Sequence, residues 1–192
     1  MNPVIEAIKT RRSVRAYTGQ RIAHQVLETL LDAAIWAPNG ANRQQWRFVV
    51  VESPEMMARC VAVADAVYKG WFAKSKDTGL GKMRAEVDER LGADDPAYDP
   101  VFYNGSAIIW AISTSGGIGD CAAACQNMML AAHSMGLASC WVGFGNMVRT
   151  DPDLDAMLEL GEDEKLLAPI VFGYPKETPE PPPRKAPVVK WL

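Results

Sequence analysis

SAIIWAISTSGGIGDCAAACQNMMLAAHSMGLASCWVGF, residues 106–144, is the stretch whose reading decides the architecture. Ser106 to Ser113 is dense in Ile and Trp and reads as a buried strand. Ser115-Gly116-Gly117 breaks it, and a helix is expected from about Asp120 to Met135. Gly136 is its terminator, since a left-handed residue costs glycine little. Ser139 to Phe144 then reads as a further strand. The helix is apolar nearly all round, so both of its sides are expected to be buried, one of them against another subunit.

Upstream, Trp46 to Glu52 is β-branched and aromatic and predicts a strand. Before it, Ile22, Val26, Leu30 and Ala34 recur at four-residue spacing, a helical stripe that Pro38 and Asn39-Gly40 end. A short helix is expected over Asn2 to Lys9, and another from Ser53-Pro54 through Met57, Val61 and Ala64. Gly70 to Pro100 alternates charge, Gly and Pro and reads as a mobile excursion with one polar helix, Lys82 to Leu91. Tyr68, Trp71, Phe72, Phe102 and Tyr103 mark the stretch 67–103 as a lid, although Phe102 reads better as core. Leu154 to Leu160 predicts a short helix and Leu166 to Gly173 a strand. TPEPPPRKAPVVKWL is too proline-rich for a helix, so an extended arm is expected over about 180–192, with Val188-Val189 free to pair as an edge strand on another subunit. Strands alternating with helices, plus a terminal extension, predict one domain, residues 1–192, of α/β or α+β class with a mixed central sheet flanked by helices.

The chain has 192 residues, 48% of them hydrophobic, enough for a sizeable core. A net charge of −3 disfavours nucleic acid or anionic membrane as the main partner. No apolar run reaches the roughly 18 residues of a membrane span, and MNPVIEAIKTRR does not read as a secretory signal. Cys60, Cys121, Cys125 and Cys140 lack the paired spacing of a metal site and read as reduced core thiols, which makes the cytoplasm the expected compartment.

Four segments carry chemical signal, each with a bland alternative. Arg11-Arg12-Ser13-Val14-Arg15 places three guanidiniums where helix gives way to extended chain, and such forks suit phosphate oxygens or a heterocycle edge. Alone it would be a solvated basic turn. Ala37 to Trp46 is rich in amide side chains that can read an imide edge, or is merely a polar loop. Gly136 to Gly143 offers close backbone approach to a flat ligand, or turn punctuation. Arg184 is a tail cation, ordinarily solvated. His24 and His133 sit inside helices and read as structural or surface residues. Gly117-Ile118-Gly119-Asp120-Cys121-Ala122 imitates a dinucleotide fingerprint, but the next strand carries no acid. Gly79-Leu80-Gly81-Lys82 fails as a phosphate loop because Met83 follows.

Together the four segments resemble the nitroreductase family of FMN-dependent NAD(P)H oxidoreductases. RRSVRAYTGQRI is similar to its arginine-serine motif, and APNGANRQQWRFVVV to its alanine-proline loop and strand. QNMMLAAHSMGLASCWVGF is similar to its central helix and following strand, and IVFGYPKETPEPPPRK to its glycine-tyrosine-proline and arginine tail. The resemblance implies the α+β form of the fold, and that Arg11 and Arg184 bind the FMN phosphate. It places Ser13 and Arg15 at the pyrimidine end of the ring, with Arg12 assisting. Arg15 would there offset the negative charge that reduction creates near N1 and O2. Pro38, Asn39 and Gly40 would cover the ring or ribityl chain from the other subunit of a homodimer, with Asn42 on the same ligand. Trp141, Val142 and Gly143 would lie against the flavin, a backbone N–H near N5. Family members often carry serines where Asn39 and Gly40 stand, and a second tail cation where this chain has Pro182. No side chain is implied as a catalytic acid and no metal is expected. The implied activity is ping-pong hydride transfer from NADH or NADPH, through flavin N5, to a nitroaromatic, quinone or activated alkene. The alternatives are a non-catalytic flavin-binding or sensing dimer and a specialised flavin reaction of the same family.

Overall fold

Ala107–Ser113 (β2) is the axis of the molecule, and every one of its residues is buried. Period-two alternation sends Ile108 and Trp110 into one core and Ala107, Ile109 and Ala111 into another. Both faces are covered, so the strand reads as an unbroken apolar run. In this computed structural model, residues 2–95, 97–114, 116–167 and 169–192 are described.

β2 pairs with Trp46–Val51 (β1) on one side and Ile170–Gly173 (β5) on the other, and Ala138–Trp141 (β3) closes the path in the order β1-β2-β5-β3. Lys165–Leu166 (β4) pairs briefly with β2. The register sets Val49 opposite Trp110, Ile109 opposite Ile170 and Cys140 opposite Val171. Among the described residues all four ladders are antiparallel, and the mixed character expected of the sheet rests on one isolated parallel bridge, Ser13 to Ser139. The strand expected over Leu166 to Gly173 is split, and its Ala168 lies outside the described residues, as does Ser115 of the expected strand break.

The helices are Pro3–Thr10 (α1), His24–Ile35 (α2), Pro54–Ser75 (α3), Gly79–Leu91 (α4), Ile118–Ser134 (α5) and Pro152–Met157 (α6). α2 and α5 pack together on one face of the sheet, and α3 lies on the other. α5 buries Cys121, Ala124, Cys125, Met128, Met129 and Ala132, while its opposite side is half-buried within the chain. The four cysteines are buried and unbridged. Gly143–Thr150, expected to begin as strand, forms 3-10 turns.

The polar helix expected at Lys82 to Leu91 is present as α4, whereas the chain from Gly70, expected as a mobile excursion, continues α3 to Ser75. α3 runs for 22 residues, its Ser53 cap accepting from the Met56 N–H at 3.1 Å. Thr78 caps α4 and Gly92, at φ +92°, ends it. Gly81 makes the α3–α4 joint possible, because a Cβ there would lie 1.9 Å from the Ser75 carbonyl oxygen. Gly81→Ala is therefore expected to destabilise the protein by about 1–3 kcal/mol, as overpacking does. A chemical-denaturation midpoint equal to wild type would show that the joint yields freely.

Candidate functional site

The chain between α1 and α2 runs extended along the edge of the sheet. Ser13 bridges Ser139, the Val14 N–H donates to the Ser139 carbonyl at 3.2 Å, and Tyr17 pairs with Pro175. The Tyr17 hydroxyl returns to the Val14 carbonyl at 2.9 Å. Val14 points into the core, so alternation turns Arg11, Ser13 and Arg15 to the opposite side. Arg12 folds back, its Nη1 donating to the Lys9 carbonyl at 2.7 Å and the Arg11 carbonyl at 2.9 Å.

These residues frame two cavities that share Arg11 and Arg12. One, about 370 Å³, is lined also by Ser13, Arg15, Arg90 and Arg184, with Glu180 as its one carboxylate among the described residues. The other, about 180 Å³, adds His133 and Ser139. Arg11 Nε and Nη1, Arg12 Nε and Ser139 Oγ are buried without hydrogen-bond partners among the described residues. Among the described residues, none of Arg11, Arg12, Arg15, Arg90 or Arg184 forms an ion pair. Burial lowers the pKa of Arg11, as do the nearby Arg12 and Arg184 guanidiniums, against an opposing influence of Cys140. Buried, mutually repelling donors without an acceptor are costly alone and suit a phosphate dianion.

Five of the twelve expected cofactor-binding residues, Arg11, Arg12, Ser13, Arg15 and Arg184, thus meet at one place. The others lie elsewhere in the chain. Pro38, Asn39, Gly40 and Asn42 belong to a loop at the start of α5, where the Gly40 N–H donates to Asp120 Oδ2 at 3.1 Å. Asn39 Oδ1 accepts from the Gln44 N–H at 2.9 Å, and Ala41, Asn42 and Gln44 are left-handed. His133, at the other end of α5, is 13 residues on from Asp120, about 20 Å at 1.5 Å per residue. Trp141, Val142 and Gly143 lie at the end of β3. Val142 is buried and its N–H is spent on the Pro169 carbonyl at 2.8 Å, so Gly143 is the exposed residue of the three.

Arg90, His133 and Ser139 also line the cavities, and sequence reasoning did not place them there. Arg90 arrives on the last turn of α4, which reads as a solvated polar helix, and Ser139 is an unmarked strand residue. The expected lid is corrected as well. Tyr68 and Tyr103 are 4% and 6% exposed and belong to the core, with Trp71 and Phe72 packed against it, while Phe102, at 0%, is core as expected. Beneath them lies a buried polar network. The Asp88 carboxylate accepts from the Tyr68 and Tyr98 hydroxyls and pairs with Arg84 at 2.8 Å. Arg84 also donates to Tyr68 at 3.0 Å, to Tyr103 at 3.1 Å and to the Pro100 carbonyl. Burial and the Asp88 hydrogen bond push the Tyr68 pKa up to about 12.

The dinucleotide-like glycines are excluded by topology, since β5 stands between β2 and β3 and β3 carries no acid. Among the described residues no three His, Cys, Asp or Glu gather as a metal site, and no helix is long and apolar enough to cross a membrane.

Residues 8–174 match the profile of the Nitroreductase family. The chain is 27% identical, over 92% of its length and 79% of the other's, to a Methanothermobacter thermautotrophicus protein provisionally named NADH dehydrogenase/NAD(P)H nitroreductase. It is 29% identical to iodotyrosine deiodinase 1 of Sus scrofa, over 90% of this chain and 61% of that one. A solved nitroreductase with bound FMN from Bacteroides fragilis NCTC 9343 superposes with a TM-score of 0.74, at 28% identity and 100% coverage of both chains.

Proposed function

The chain belongs to the nitroreductase family, and from that premise we propose that it is an FMN-dependent NAD(P)H oxidoreductase working as a homodimer. The observation that carries this reading is the set of buried, unpartnered donors on Arg11 and Arg12 facing an arginine-lined cavity. Arg11, Arg12 and Arg184 would hold the FMN phosphate, and Ser13 and Arg15 the ring's pyrimidine end. When bound, FMN supplies the hydride-accepting ring through which NAD(P)H reduces a small organic acceptor. Arg15 then provides fixed positive charge, cheaper at the moment of reaction than reorganising water.

The loop Pro38 to Asn42 meets α5 at Asp120, about 20 Å along the helix from His133, which borders the arginine cluster, so a second copy is the natural source of the loop that covers the ring. Exposed Val4, Ile5, Ile8, Ile35 and Trp36 supply apolar surface for that association. Trp141 to Gly143 would approach the ring with Gly143 as its open backbone. NAD(P)H and acceptor would use one exposed face in turn, giving ping-pong kinetics, with a nitroaromatic, quinone or activated alkene as acceptor. Four buried free thiols fit a reducing cytoplasm. The likeness to a deiodinase supports, as second reading, a specialised flavin reaction of the family.

Purified protein is expected to be yellow, to release FMN rather than FAD on heating, and to bleach anaerobically with NADH or NADPH. Colourless protein that takes up no FMN overturns the reading, and yellow protein that never bleaches points to a flavin-binding dimer without turnover. Deleting residues 180–192 removes Arg184 and the exposed Val188, Val189, Trp191 and Leu192. The truncated chain is expected to lose FMN on gel filtration and to dissociate at lower dilution factors than wild type. Unchanged dimerisation and flavin content would remove the arm from both roles.

A further inference from the structure

The cavity of about 180 Å³ holds a titratable side chain that the reading above does not use. His133, in the last turn of α5, is half-buried, with Nε2 2.8 Å from Thr10 Oγ1. Thr10 Oγ1 already donates its proton to the Glu6 carbonyl at 2.8 Å, so it accepts from His133 Nε2–H. Nδ1 is then the nitrogen left to take up a proton.

The surroundings of this imidazole are cationic. Thr10, Arg11 and Arg12 face it from α1 and the segment after it, Ser139 from β3, and Thr178 from the chain beyond β5. Among the described residues no carboxylate lines this cavity or pairs with His133. The carbonyls ending α5 favour an imidazolium there. Burial opposes it, and so do Arg11 and Arg12, which together lower the His133 pKa from that of an ordinary imidazole. A dianion between these groups cancels the arginine field and leaves the helix end to favour the proton.

We propose that His133 is a proton-gated member of the phosphate site, reached through Arg11 and Arg12, which border both cavities: it is neutral while that site is empty and protonated when a phosphate monoester occupies it. The inference rests on the FMN reading above. Its consequence is that cofactor binding takes up a proton. The protonated state is favoured only in the complex, so affinity rises as pH falls through the raised His133 pKa and is unaffected above it. Each pKa unit gained on binding is worth about tenfold in affinity at low pH.

The chain has only two histidines, so NMR of the full-length protein shows two imidazole titrations, which His133→Gln assigns. His24, paired with Glu52 at 2.8 Å on the surface, is the internal control. FMN is expected to raise the His133 midpoint by about one unit or more, riboflavin to leave it in place, and neither to move His24. By fluorescence quenching, FMN affinity should climb toward acid pH more steeply in wild type than in His133→Gln, since the ligand's own phosphate ionisation cancels in that ratio. An unmoved His133 midpoint, an equal shift with riboflavin, or parallel affinity profiles would overturn the proposal. If His133→Gln does not fold, His24→Gln makes the assignment and the midpoint decides alone. A protein that takes up no FMN sinks both readings, whereas tight FMN binding with an unmoved His133 sinks this one only.

Discussion

Arg11→Ala is expected to strip FMN from the purified protein while leaving the apoprotein at least as stable as wild type. Arg11 Nε and Nη1 are buried and unpartnered, and Arg12 and Arg184 add repulsion. In the complex the phosphate would satisfy those donors, and removing one partner of such a charge-assisted contact costs about 2–5 kcal/mol. That corresponds to a Kd weaker by about 30-fold to several thousand-fold. Without ligand the same charge is a burden, so its removal relieves a desolvation cost. The two effects have opposite signs, which separates a binding residue from a structural one. Fluorescence titration with FMN and thermal melts of flavin-free protein read them independently. Arg11→Lys should recover only part of the affinity, because an ammonium lacks the guanidinium fork. Wild-type FMN affinity in Arg11→Ala would remove this residue from the phosphate site.

Asp88→Ala should have the largest effect on stability. Asp88 is 7% exposed, and its carboxylate receives Arg84, Tyr68 and Tyr98. Burial alone would lower the Arg84 pKa, yet Tyr103, Tyr68 and Asp88 raise it overall, so the guanidinium is committed to its charge. Deleting Asp88 leaves that buried charge without its counter-ion and two hydroxyls without their acceptor, a loss of about 3–5 kcal/mol. For a chain of this size the melting temperature should fall by about 6–20 °C, at about 2–4 °C per kcal/mol. Arg84→Met combined with Asp88→Leu removes both charges and should regain part of the loss. A melting temperature for Asp88→Ala close to wild type would show that α4 is held by its apolar contacts alone. The network also fixes the helix that carries Arg90 to the arginine cavity.

Element types were largely legible because they depend on local rules. The four-residue stripe ending at Ala34 gives α2, and the Ile-rich run after Ser106 gives β2. Ser53-Pro54 marks the start of α3 through a hydroxyl cap and a proline in the first turn. The chain after Gly70 was misread for the same reason. Its charges imply solvent, whereas Arg84 and Asp88 are buried together with three tyrosine hydroxyls around them. An i,i+4 pair of opposite charge has the same spelling on a surface and in a core.

For the site, residue order alone names the side chains that can make the chemistry. Three guanidiniums in Arg11 to Arg15, at the point where helix becomes strand, and a tail arginine are written in the order of the residues. Extended geometry after α1 turns Arg11, Ser13 and Arg15 to one side. The folded chain alone brings Arg184 back to that cluster, sets His133, Ser139 and Arg90 at its border, and puts Pro38 to Asn42 at the far end of α5. It also commits the Val142 N–H to Pro169. The division has one physical cause. Periodicity, caps and turns act over a few residues and are visible in the chain, whereas burial and unmet hydrogen bonds depend on what distant segments bring.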